Sequence, residues 1–280
     1  MRHYCYARPT HEYFGLSAGL DFETKIFVKE DAPQLLRNEL QSPKWEPAVL
    51  AMSGVTDCYQ PVERQLKITR RCLEVLADFR NPVGIVTKSH LVTRDIDLLQ
   101  SLAEHQAAVV YVSVTTLDGE LSARMEPRAA SPARRLAAIE ALARAGVPVG
   151  VLVAPVIPGL TDHEIPGILK AAAEAGARSA GFVPVRLPFA VKELFQDWLA
   201  EHYPDRKDKI LNRIREIRGG KLNDSTFGQR MKGQGIWAEQ FSAMFNLAKR
   251  RAGLDGPFPK LSTAAFRRPM RAGDQMSLFT

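Results

Sequence analysis

Cysteine is nearly absent from this chain: Cys5, Cys58 and Cys72 are the three in 280 residues. An odd and sparse set excludes a disulfide framework and fits a reducing compartment, so the expected location is cytoplasmic. No apolar run reaches the roughly 18 residues that a membrane-spanning helix needs. The opening stretch, MRHYCYARP, lacks the apolar centre of a secretion signal. No membrane partner is expected. Neither a G-x-G-x-x-G turn after the first apolar run nor a Walker loop occurs, which disfavours nucleotide binding of those types. What remains is an ordinary globular composition, with 45% hydrophobic and 25% charged residues. The net charge of +7 is unevenly spread. Residues 1–199 hold 22 basic and 23 acidic side chains, whereas residues 200–280 hold 16 and 8.

From residue 32 to 188 the chain alternates between two periodicities. Helical spacing of apolar residues predicts helices over 32–41, 62–79, 93–106, 131–146 and 162–176. Thr93 and Ser131 are the expected N-caps of two of them. Short β-branched apolar runs predict strands over 47–54, 83–89, 109–116, 147–159 and 178–188. Repeated strand–helix units give a parallel sheet covered on both faces, either doubly wound or curled toward a barrel. After residue 189 the rhythm becomes helical, with amphipathic segments at 190–204, 205–220 and 236–253. The remainder is rich in Pro, Gly and Arg. The expected organisation is a barrel-type core over 1–188, a helical extension over 189–253 and a flexible basic tail over 254–280.

Polar residues gather where the strands end. Ser53, Thr56 and Asp57 follow the first, Thr87 and Lys88 the second, and Ser113, Thr115 and Thr116 close the third. Pro155, Pro158, Thr161 and Asp162 follow the fourth, and Arg186 the fifth. In (β/α) barrels the ligand site is built at that edge, although any strand-to-helix loop is polar somewhere.

The first segment, Tyr4-Cys5-Tyr6-Ala7-Arg8-Pro9-Thr10-His11-Glu12-Tyr13, has neither period and sets a cysteine between two tyrosines. It resembles the end of a radical S-adenosylmethionine (radical SAM) loop, where three cysteines spaced C-x-x-x-C-x-aromatic-C bind a 4Fe–4S cluster. With Gly19-Leu20-Asp21-Phe22-Glu23, Ser53 to Asp57, Val86-Thr87-Lys88 and Glu126-Pro127-Arg128, it is similar to the spore-photoproduct-lyase-like radical SAM proteins, over about residues 4–270. The resemblance implies an α/β fold: a partial (β/α)6 TIM-like barrel lacking its first strand, with an α-helical C-terminal extension. It also implies a 4Fe–4S cluster and S-adenosylmethionine as cofactors. An electron donor reduces the cluster, and S-adenosylmethionine is cleaved to a 5′-deoxyadenosyl radical that abstracts hydrogen from a substrate, with DNA or RNA as a candidate.

The pattern is incomplete. Cys5 takes the third cluster position as the expected metal ligand, but Arg2 stands where the second cysteine belongs, and the first would precede Met1. The chain is therefore expected to be N-terminally truncated. The alternative is a non-catalytic remnant that binds nucleic acid or the sliding clamp. Cys72 lies on a helix stripe where a buried thiol is ordinary, and Cys58 lies in a loop.

The resemblance assigns cofactor-binding roles to Tyr4, Tyr6, Ser53, Thr56, Asp57, Lys88, Ser113, Thr115, Glu126 and Arg128. Asp57, with Ser53 and Thr56, suits the ammonium of the cofactor's methionine end; a turn that caps the following helix is the plainer role. Lys88 suits the carboxylate, and Ser113 and Thr115 share a face. Glu126 and Arg128 meet cofactor or substrate, or pair at the surface. Val156-Ile157-Pro158 is either an apolar shelf for adenine or ordinary core. His11 and Glu12 either face the site or serve structure.

In the basic third, Arg206, Lys207, Arg213, Arg215, Arg218 and Lys221 are either a phosphate-facing surface or a solvated helix face. At the end of the chain, Gln275-Met276-Ser277-Leu278-Phe279 resembles the short peptide that docks bacterial repair proteins on the β sliding clamp. Gln275, Leu278 and Phe279 would be its contacts.

Overall fold

The computed structural model describes residues 4–53, 56–226 and 231–269. Five strands form one sheet: β1 (Leu50–Ala51), β2 (Val83–Thr87), β3 (Ala108–Ser113), β4 (Val149–Val156) and β5 (Ser179–Pro184). Every neighbouring pair is parallel, and the order across the sheet is the order along the chain. That sequential order is the arc of a barrel, whereas doubly wound sheets reverse direction at a switch point. The described residues hold five strands, as expected of a six-stranded arc that lacks its first strand, and the arc is not closed. β4 and β5 are linked from Gly150–Ser179 to Val156–Pro184 with one irregularity.

Strand parity sets the layers. Val83 and Ile85 of β2, Val110 and Val112 of β3, and Val149, Val151 and Val153 of β4 are buried. They pack in one cluster with Leu73, Leu76, Leu99, Ile139, Leu142, Ile168 and Leu169 from the crossover helices. The residues between these point to the opposite, concave face. Tyr111 lies there over Gly150, where an added Cβ would meet the Tyr111 ring at 2.5 Å. Only glycine permits that approach.

Two expected helices differ from their sequence reading. The one over 62–79 divides into Glu63–Leu66 and Ile68–Phe79. Lys67 between them has a φ of 51°. The Glu63 carboxylate accepts from the Ile68 and Thr69 amides at 3.0 and 3.1 Å, so it caps a new helix. The helix expected from Thr93 starts instead at Ile96, after a 3-10 stretch from His90 to Asp95. There Ser89 caps Leu91, and the buried Asp95 carboxylate is taken by Arg70 and Arg94. The Pro132–Arg144 helix does begin at a Ser131 cap.

A second core joins the helices Val191–His202 and Lys207–Glu216 to Tyr4, Leu121, Met125 and Ile157, so it draws on both sides of residue 188. The helix Ile236–Arg251 packs through Phe241 and Phe245 on Phe182 of β5. Residues 254–269, expected as part of a flexible tail, contain no helix or strand but are tied to the core. Ser262 N donates to Gln106 O at 3.0 Å and Arg267 N to Phe79 O at 2.9 Å. Arg268 donates to Ser42 O and Trp45 O at 3.1 and 2.8 Å. The Gln106 and Phe79 carbonyls are thus satisfied by backbone amides and those of Ser42 and Trp45 by a guanidinium, near helix ends where carbonyls lack intrahelical partners. Among the described residues no helix is long and apolar enough to cross a membrane.

Candidate active site at the strand ends

The ends of β2 and β3, the loop after β3 and the N-terminal segment meet at one buried carboxylate. Glu126 terminates the short helix Gly119–Met125, and its side chain is 1% exposed. One of its oxygens accepts from the Tyr4 hydroxyl and the Lys88 ammonium. The other accepts from the guanidinium of Arg135, itself 1% exposed. Lys88 Nζ also reaches Tyr4 Oη at 3.1 Å and Thr115 Oγ1 at 3.0 Å, and Thr115 donates on to Ala154 O at 3.2 Å. Arg135 completes its donors on Ala130 O at 2.8 Å and Ser113 O at 3.2 Å. A buried carboxylate is tolerated when charged partners and hydrogen bonds satisfy it; Glu126 has two cations and a hydroxyl. Cys5 follows Tyr4 directly and is partly exposed.

A second polar knot lies beside the first. Asp57 accepts from Thr87 Oγ1 at 2.7 Å and Tyr59 N at 3.0 Å through one oxygen, and from Lys88 N at 2.9 Å through the other. It therefore ties the loop after β1 to the end of β2, and does not cap the helix beyond. Ser53 Oγ accepts from Val86 N at 3.2 Å and lies 3.6 Å from Cys58 Sγ. Burial, and next the neighbouring Asp57 carboxylate, push the Cys58 thiol well above its usual range. Thr56 is exposed on this loop.

Tyr6 opens onto the rim, 47% exposed, with the Arg186 guanidinium 5.1 Å from its ring centroid. Loss of solvation, then the Cys5 side chain, raise its hydroxyl pKa. Arg186 donates to Met231 Sδ at 3.7 Å, which brings the loop before the Ile236–Arg251 helix to the same rim.

Other expected site residues lie elsewhere. Arg128 is exposed and donates to Glu23 O at 2.8 Å, so it belongs with the buried Arg8–Glu23 pair. His11 is buried, with Nε2 at 2.9 Å from Lys25 O and its ring edge-on to Phe22 and Phe27. It serves that packing, and Glu12 is exposed. Val156, Ile157 and Pro158 are all buried, the first two fully and in the two cores, so the three make no open shelf. Arg218, expected on a basic surface, is buried and donates to Val185 O at 2.9 Å. Its pKa is lowered by burial and by Arg186. Gln275, Leu278 and Phe279 lie outside the described residues.

Arg135 is a partner in this site that the strand-end pattern does not mark, though it carries a signal. Arg135, Ala138, Ile139 and Leu142 form a buried stripe at helical spacing. A lone arginine on such a stripe implies a buried anion.

A family model, "Radical SAM superfamily", matches residues 3–172. The chain belongs to the radical SAM superfamily. An uncharacterised protein of Mycobacterium tuberculosis is 35% identical over 216 residues, covering 76% of this chain and 62% of that relative. One from Methanocaldococcus jannaschii is 32% identical over 161 residues, covering 58% of each. The chain thus spans 62% of the length of the mycobacterial relative it matches. Among solved structures, a mutant spore photoproduct lyase matches with a TM-score of 0.62 and 17% identity, over 90% of this chain and 71% of the lyase. A spore photoproduct lyase complexed with dinucleoside spore photoproduct gives 0.61 and 16%, over 89% and 69%. At that identity the likeness is one of fold.

The family implies S-adenosylmethionine and a 4Fe–4S cluster. The thiols of the chain do not fit a cluster that needs three thiolates. Cys5 stands alone in the N-terminal loop, Cys58 packs against Ser53, and Cys72 lies on the Ile68–Phe79 helix. Among the described residues no group of three or more His, Cys, Asp or Glu can hold a metal ion.

Proposed function

We propose that this chain carries the cofactor-facing part of a radical SAM enzyme of the spore-photoproduct-lyase type, acting on a nucleic-acid substrate in the cytoplasm. The convergence of Lys88, Thr115, Tyr4 and Glu126 beside Cys5 carries the reading. In this reading Lys88 and Thr115 receive the carboxylate of S-adenosylmethionine. Asp57, with Ser53 and Thr56, takes its ammonium, and Ser113 lines the neighbouring strand end. Tyr6 borders the substrate side, Glu126 stands behind these groups rather than against the ligand, and Arg128 sits apart with Glu23. The nucleic-acid partner is supported by two arginine–aromatic pairs on the rim, Arg186 with Tyr6 and Arg213 with Trp237. Such pairs offer stacking faces and positive charge together. An electron donor and, through Gln275, Leu278 and Phe279, the sliding clamp are further proposed partners. Deleting residues 275–280 should abolish retention on immobilised clamp, and undiminished retention would remove the clamp from the account.

The lone cluster-position thiol favours a second reading, a non-catalytic nucleic-acid-binding protein. Anaerobic reconstitution with ferrous iron and sulfide separates the two. The enzyme reading expects about four irons per chain, with 5′-deoxyadenosine released from S-adenosylmethionine under a reductant. Absence of bound iron leaves the second reading.

A further inference from the structure

We infer that Arg135 and Glu126 are a positioning pair that moors the cysteine loop to the strand ends. Glu126 is the point where three separate parts of the chain are held in register. Its carboxylate takes the Tyr4 hydroxyl from the N-terminal loop, the Lys88 ammonium from beyond β2, and the Arg135 guanidinium from the helix after β3. Arg135 does not reach the loop itself. It holds Glu126 from behind and fixes its own position on the Ala130 and Ser113 carbonyls. The carboxylate is therefore pinned on one oxygen so that the other can hold Tyr4 and Lys88. Tyr4 is the residue next to Cys5, and its ring is 7% exposed in the second core with Leu121 and Met125 of the helix that Glu126 ends. The Lys88 ammonium lies 5.2 Å from the Tyr4 ring centroid, a third hold on the same side chain. Charge-assisted bonds of this kind, shielded from water, restrict motion more than neutral ones at a surface. The backbone beside Cys5 adds a local brace, with Arg8 N on Cys5 O at 3.1 Å. The mooring through Tyr4 is the long-range hold.

The chemical readout is the thiol of Cys5, with Cys58 as an internal control in the same protein. Cys58 lies beyond β1, held by Thr69 Oγ1 donating to its carbonyl at 2.5 Å and with its thiol 3.6 Å from Ser53 Oγ. Alkylation by iodoacetamide, resolved for each cysteine by peptide mass spectrometry, should speed up at Cys5 by about tenfold in Tyr4→Phe and in Glu126→Gln, the factor that one lost charged hydrogen bond is worth. The rate at Cys58 should stay unchanged. The double variant should react no faster than either single one, because both remove the same link. Arg135→Met should give the same rise, with Arg135→Lys in between. A merely structural role would accelerate Cys58 as well, and Tyr4→Phe provides a variant that keeps the buried ring where Arg135→Met fails to fold. An unchanged Cys5 rate in Tyr4→Phe and Glu126→Gln, parallel acceleration of Cys58, or multiplying rates in the double variant would each overturn the inference. The measurement needs neither cluster nor S-adenosylmethionine, so its outcome is separate from that of the proposed function.

Discussion

Tyr4 and Glu126 lie 122 positions apart in the chain, and the hydroxyl of the first donates to the carboxylate of the second. That bond joins the N-terminal loop to the segment after β3, and Lys88 from beyond β2 closes the triangle. Each strand end alone is an ordinary polar loop. Together they make a buried, charged edge beside a thiol, in a fold belonging to the radical SAM superfamily.

Asp57 is expected to be a stability residue as well as a site residue. It satisfies two backbone amides and the Thr87 hydroxyl. Removing an acceptor that serves several donors strands them. Asp57→Ala should cost about 2–4 kcal/mol, with Asp57→Asn losing less, in urea unfolding. A loss under about 0.5 kcal/mol, the usual range of surface substitutions, would show that the knot between β1 and β2 is not formed.

Cys72 gives a pH signature. Burial pushes its thiol up to about 11, from an ordinary value of 9.0. The folded state therefore keeps its proton when the unfolded chain has lost it. That contribution to stability is complete below about pH 9 and disappears as the pH rises toward 11. Unfolding midpoints compared between the protein and Cys72→Ala should converge across that window. Parallel curves would mean that the thiol is no more buried in the folded chain than in the unfolded one.

Residues 254–269 act as a strap rather than a tail. Phe266 lies 6.2 Å from Phe79, centroid to centroid, and Phe258 lies 5.8 Å from Tyr111, in addition to the arginine bonds to helix ends. Ending the chain after Gly253 should cost about 2–4 kcal/mol, as the loss of several buried contacts does. Ending it after Pro269 should leave stability unchanged. Equal melting of both truncations would refute the strap.

The rim pairs make a nucleic-acid prediction. Trp237 is 42% exposed, with the Arg213 guanidinium 3.7 Å from its ring centroid. Fluorescence anisotropy with a labelled single-stranded oligonucleotide should give salt-dependent binding, weakened about tenfold by Trp237→Ala, as the loss of one stacked base implies. Arg213→Ala should flatten the salt slope by about one. Binding indifferent to both substitutions would place the nucleic acid elsewhere.

The fold was legible because apolar runs of fully covered parallel strands stand out between amphipathic helices. All five strands and the Ser131 cap lie where those patterns predict them. Local spacing could not show the break at Lys67, which depends on Glu63 bonding to Ile68 and Thr69. It could not show the anchoring of residues 254–269 either, since Arg267 and Arg268 bind carbonyls 189 and 226 residues earlier. In the site, the polar strand ends marked Lys88, Thr115 and Asp57. What they touch depended on partners with no period of their own: Tyr4 in an irregular loop and Glu126 at the end of a short helix. Arg135 was visible only as a charge out of place on a buried stripe. Arg218 does not fit either reading of the basic helix, because a polar side chain in a list of residues does not say which way it turns.

In the proposed function the strand ends receive the aminocarboxylate end of S-adenosylmethionine at Lys88. Calorimetric titration with S-adenosylmethionine, and with methylthioadenosine that lacks that end, tests it directly. S-adenosylmethionine should bind at least about tenfold more tightly, the worth of one charged contact, and Lys88→Met should erase the difference. Equal binding of the two ligands, binding of neither, or a preference that survives Lys88→Met would contradict the account.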